Sequence, residues 1–176
     1  MSMFCYQCQE TAKGSGCTLK GVCGKSDTVA NLQDLLVYTA KGVSFFAHIA
    51  TETNVECAEA DRYVFDAMFI TITNANFDDA RIIEKIKEGL QIRNALRLQL
   101  LDKGIELPTD LPAQATWTGE SDEQLLARSL LVSILNESNE DIRSLKELLV
   151  YGIKGMAAYT EHANNLGYIN KAIFAF

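Results

Sequence analysis

The chain has 176 residues, 48% of them hydrophobic and 22% charged, with a formal net charge of −7. Its mean hydropathy is +0.00 and its pI is near 4.8. The length suits one ordinary domain or two small ones, and the composition excludes a disordered tail. No stretch approaches the ~20 apolar residues that a membrane span needs. The acidic balance makes nucleic acid and anionic membranes poor partners.

The first residues carry no basic segment followed by an apolar run, so they do not read as a secretory signal. A cytosolic location is the expectation. There, clustered thiols more often hold a metal than form disulfides. Four of the five cysteines fall within residues 5–23, and the odd fifth argues against a fully paired framework.

Residues 1–26 show no helical period. They contain Gly14, Gly16, Gly21 and Gly24, with Lys13, Lys20 and Lys25 against Glu10 alone. This segment is therefore electropositive on an acidic chain. Its cysteines, Cys5, Cys8, Cys17 and Cys23, are spaced C-x2-C-x8-C-x5-C. Soft thiolates select zinc, copper(I) or iron–sulfur centres. The lysines would offset an anionic cubane, and glycines let backbone N–H groups approach its sulfurs. A structural zinc site more often shows two C-x2-C knuckles. On spacing alone iron–sulfur leads, with zinc and free or disulfide-bonded thiols left open.

From Asp27 the apolar residues recur with period 3.6. Leu32, Leu35, Leu36, Ala40, Val43, Phe46, Ala47 and Ala50 predict a helix over 27–52. A second is expected over 58–74. A third is expected after an Asn76 cap, with Asp78 and Asp79 in its first turn, running to about 102 before Gly104. Residues 104–121 hold both prolines, Pro108 and Pro112, and read as a linker in which Trp117 is a plug between two halves. A fourth helix is expected over 122–136. Asn139 caps a fifth, whose stripe Ile142, Leu145, Leu149, Gly152, Met156, Tyr159, Ala163 and Leu166 predicts a buried seam. Gly167 ends it, and a sixth begins near Ile169.

Residues 32–42 and 145–155 echo each other, sharing Leu, Leu-Leu-Val-Tyr and Lys-Gly at a constant offset. No strand candidate survives. The expected fold is all-α, two three-helix bundles with an N-terminal cysteine-rich loop. The parts are a cluster-binding loop (1–26), a first bundle (27–103), a linker (104–121) and a second bundle (122–176). The apolar run from Ala172 to Phe176 suggests a sequence that continues, since ends usually fray in polar residues.

The segment from Met3 to Lys25, with the later stretches Thr73–Asp78 and Glu161–Tyr168, resembles the hybrid cluster (prismane, hydroxylamine reductase) family over the whole chain. The resemblance implies that Cys5, Cys8, Cys17 and Cys23 hold a [4Fe–4S] cluster. It also implies downstream domains bearing a hybrid iron–sulfur–oxygen cluster where substrate is reduced. After Cys23 the chain offers only Cys57, His48 and His162, too few for that second cluster. The expected function is therefore electron transfer, from a ferredoxin or an NADH-dependent reductase to the downstream domains. A zinc-stapled interaction module and an independent ferredoxin-like carrier are the alternatives. Cys57 is expected to be a small buried apolar group. His48 and His162 are expected at helix C-termini, and Phe4 and Tyr6 to shield a cluster or pack on the helices.

Overall fold

A computed structural model describes residues 3–8, 10–72 and 76–174. The all-α expectation holds: among the described residues the only strand-like pairing is an isolated bridge between Cys5 and Cys17. Helix α1 spans Asp27–Glu52. The Ser26 hydroxyl caps it, accepting from the Val29 N–H at 3.1 Å. Helix α2 spans Ala58–Ile72, and residues 73 and 74 of the expected helix lie outside the described residues. Helix α3 spans Asp79–Asp102. Its cap is Asp78, which accepts from the Ala80 and Arg81 N–H groups, and not Asn76, which accepts from Asp78 N one step earlier.

These three helices share one core. Leu32, Leu35, Leu36, Val43 and Phe46 of α1 meet Tyr63, Ala67 and Met68 of α2 and Ile82, Ile86 and Leu100 of α3, all essentially inaccessible to water. The stripe read in the sequence is this face, and its burial is the main stabilising contribution.

The segment expected as a linker is tied down. Helix α4, Ala113–Thr116, packs on α1. The buried Arg93 of α3 donates to the Gln114 carbonyl at 3.0 Å and to the Trp117 carbonyl at 2.6 Å. Gly42 makes room for this approach: a Cβ there would lie 2.1 Å from the Gln114 oxygen. Trp117 stands edge-on to Tyr38 of α1, and Arg128 stacks over both rings.

The expected helix over 122–136 is shorter. Helix α5 is Asp122–Ser129, with a Ser121/Gln124 capping box, and a single 3-10 turn follows at Ile134–Asn136. Helix α6, Glu140–Asn165, has the expected Asn139 cap. It packs on α2, helped by the Arg62–Glu161 ion pair at 2.9 Å and by His162 edge-on to the Phe69 ring. Its buried residues are Lys154, Ala157 and Thr160. The expected seam is not buried: Leu145 is 64% exposed, Leu149 68%, Tyr159 83% and Leu166 75%. The packed face is the one carrying Lys154, because α2 lies against it and Gln7 and Tyr6 of the N-terminal loop bond to Lys154 and Glu147. Helix α7, Lys171–Phe174, follows Gly167, and no helix among the described residues is long and apolar enough to cross a membrane.

Candidate metal centre

The cysteine loop folds back on itself through backbone bonds between Cys5 and Cys17. Cys5 N–H donates to the Cys17 carbonyl at 3.0 Å, and Cys17 N–H donates to the Cys5 carbonyl at 2.7 Å. Lys13 and Gly14, at φ of 57° and 67°, make the reversal between them. Gly16 is required at φ 144°, because a Cβ would come within 2.6 Å of the Phe4 ring. Buried Met3 and Cys17 pack on Ala30 of α1, which anchors the loop to the helices.

Each predicted ligand has a distinct place. Cys17 is buried. Its sulfur accepts from the Ala12 N–H at 3.4 Å and lies 3.7 Å from the Thr11 hydroxyl. Backbone N–H groups, first that of Ala12 and then that of Val22, hold its thiol below the usual cysteine range. Cys5 is half-buried, and the Lys25 ammonium stands 3.8 Å from its sulfur. Cys8 is half-buried beside Phe4 and Tyr6. Cys23 is exposed on a turn closed by Gly21 N–H donating to the Lys25 carbonyl at 2.9 Å.

The structure thus joins Cys5 to Cys17, and Lys25 fastens the Cys23 turn to Cys5. It does not draw all four sulfurs to one point. Among the described residues no three Cys, His, Asp or Glu side chains stand close enough to share a single metal ion. The donor chemistry nevertheless fits an anionic iron–sulfur group, with soft thiolates, N–H donors aimed at one sulfur and a buried cation against another. Buried Gln33 adds an observation of the same kind: its Oε1 accepts from Lys25 at 2.6 Å, while its Nε2 has no acceptor among the described residues.

Of the three loop lysines, Lys13 and Lys20 are exposed and only Lys25 is buried. Sequence reasoning missed the second cation. Lys154 of α6 is 2% exposed and donates to Gln7 Oε1, between Cys5 and Cys8, at 2.7 Å. Burial lowers it to about 8, although Asp34 and Glu147 favour its charged form. Tyr6 donates to the Glu147 carboxylate, so its ring packs the loop onto α6. Burial and then Glu147 hold the Tyr6 phenol above its usual range. Asp34 is raised to about 7, chiefly by burial. The only hint in the sequence was one lysine within an apolar stretch of α6, which reads equally as a solvated position.

His48 lies on the surface, 3.4 Å from Glu52. Cys57 is half-buried, with its thiol 3.6 Å from Asp61, and burial raises it. Neither residue approaches the loop thiols.

The profile of the Prismane/CO dehydrogenase family matches residues 3–176. The chain belongs to this family. It is 53% identical over 176 residues to a hydroxylamine reductase of Desulfitobacterium hafniense, covering 100% of this chain and 32% of the relative. It is likewise 53% identical to one from Bacteroides thetaiotaomicron, covering 100% and 31%. With one from Thermoanaerobacter pseudethanolicus it shares 51%, covering 100% and 32%. The chain therefore spans about one third of the length of the curated relatives it matches.

Proposed function

We propose that this chain is the electron-transfer domain of a longer, hydroxylamine reductase-type enzyme, with Cys5, Cys8, Cys17 and Cys23 holding a [4Fe–4S] cluster. Such a cluster, when bound, accepts and returns one electron. The observation that carries the reading is the setting of Cys17. It is buried, bridged to Cys5, and receives backbone N–H donors that favour its thiolate. Met3, Cys17 and Ala30 keep water from that side of the loop. All five cysteines are free, which suits a reducing, cytosolic setting.

The remaining two thirds of the enzyme would carry the hybrid cluster and reduce the substrate, hydroxylamine or a related nitrogen oxide. The donor would be a ferredoxin or an NADH-dependent reductase. The echoed segment supports a duplicated bundle, in which the uncovered face of α6 corresponds to the core face of α1.

Anaerobic purification followed by iron and acid-labile sulfide analysis, with an EPR spectrum of the reduced protein, tests the reading. The expected result is iron and sulfide in equal amounts and a reduced-cluster signal. One zinc per chain, or colourless metal-free protein, overturns it. Cys8→Ser should lose iron and sulfide yet keep its helical circular dichroism, because the α1–α3 core does not use the loop.

A further inference from the structure

Lys25 is fully buried, yet no carboxylate lies within ion-pair distance of it among the described residues. Its ammonium has a neutral amide oxygen at 2.6 Å, the Cys5 sulfur at 3.8 Å and the Phe77 ring at 5.9 Å. A buried cation without a counter-charge is strongly disfavoured, so such groups are normally paired. The acid that feels its field is Asp34, which is raised to about 7, is shared with Lys154 and Lys41, and is thus a weak counter-ion at neutral pH. The unpartnered Gln33 Nε2 sits in the same side chain that holds Lys25. A cation and a spare donor converge on the Cys5 side of the loop, and the missing partner is an anion.

We propose that Lys25 is the built-in counter-ion of the group held by the cysteine quartet: a positioning residue that ties the Cys23 turn to Cys5 and raises the group's reduction potential. The inference rests on the iron–sulfur reading above. The physical reason for the sign is simple. One-electron reduction adds a negative charge to the centre, and a fixed positive charge stabilises the more negative state more, with a weight that grows in a low-dielectric interior. Without that anion, Lys25 is an electrostatic liability. Its effects on the metal-free and the loaded protein should therefore differ.

The test compares the wild-type chain with Lys25→Met and Lys25→Arg, each reconstituted anaerobically. Iron and sulfide in the wild type decide first whether the cluster reading stands, independently of Lys25. The loaded proteins are then titrated with dithionite through mediator dyes, one electron per centre, and read by EPR. Lys25→Met should lower the reduced-to-oxidised ratio at a fixed ambient potential at least tenfold, which is ~59 mV for one electron. Lys25→Arg should stay near the wild type. In metal-free protein, Lys25→Met should melt at or above the wild-type temperature. A Lys25→Met protein that is folded but does not load, while Lys25→Arg loads, also supports the proposal. An unchanged potential in fully loaded Lys25→Met overturns it. So does failure of both variants to load, and so does a metal-free Lys25→Met that melts well below the wild type.

Discussion

Lys154 reaches Gln7 across 147 positions of chain, its ammonium 2.7 Å from the Gln7 side-chain oxygen. The bond crosses from the middle of α6 to the short span between Cys5 and Cys8, and it is shielded from water at the lysine end. Together with Tyr6 donating to Glu147, it makes α6 one wall of the cysteine loop. Replacing Lys154 by methionine keeps the packing volume but leaves Gln7 without its donor. The expected outcome is unchanged helix content and several-fold faster alkylation of Cys8 in metal-free protein. A rate equal to that of the wild type would show that α6 does not hold the loop.

Two ionisable groups beside the loop, Asp34 of α1 and the buried Lys154 of α6, predict an unusual pH dependence. Asp34 is raised to about 7, from an ordinary ~3.9. Between those values the folded chain keeps a proton that the unfolded chain has lost, so stability falls as pH rises from about 4 to 7. Lys154 is lowered to about 8, from an ordinary ~10.4. Between those values the unfolded chain binds the extra proton, so stability rises with pH. These two groups place a stability minimum near pH 7–8. Thermal melts of metal-free protein from pH 4 to 10 check it, and Asp34→Asn should flatten the acid limb.

Gly42 and Gly155 occupy matching positions of the echoed segment but face different surroundings. A Cβ at Gly42 would meet the Gln114 carbonyl, whereas one at Gly155 would meet nothing within 4 Å. Gly42→Ala should destabilise by about 1–3 kcal/mol, because α4 is held in place by Arg93 and cannot withdraw freely. Gly155→Ala, inside a helix and unobstructed, should stabilise by about 0.5–1 kcal/mol. Urea denaturation of the two variants reads the difference.

The matching leucines make a parallel case. Leu35 is 0% exposed and Leu148 is 68% exposed. Leu35→Ala should cost about 2–5 kcal/mol. Leu148→Ala should stay within about 0.5 kcal/mol in this chain. If the face of α6 is the core face of a second bundle, the same Leu148 substitution should become costly in a protein of the relatives' full length. A full-length protein indifferent to it would reject the duplicated-bundle proposal.

The extents of α1 and α6 were legible in the sequence, because a 3.6-residue apolar period, with Asn139 at the start of α6, is a local signal. The cap of α3 was misplaced by two residues, since Asn76 and Asp78 carry the same chemistry and only backbone geometry selects between them. Of the site, the cysteine quartet and the positive charge of its loop were visible in composition and spacing. Which lysine is buried was not, because Lys13, Lys20 and Lys25 look alike until the turn at residues 21–25 folds under Gln33.

What the amino-acid order determined alone is therefore the helical class and the extents of α1 and α6. All of these depend on interactions between near neighbours in the chain. Tertiary structure alone decided which face of α6 is covered. It buried Lys154 while leaving its counterpart Lys41 exposed, and it exposed Leu145 while burying Leu32. The two segments share their residues, but an apolar stripe specifies only that a face favours burial. Whether another helix lies against that face depends on contacts between distant parts of the chain.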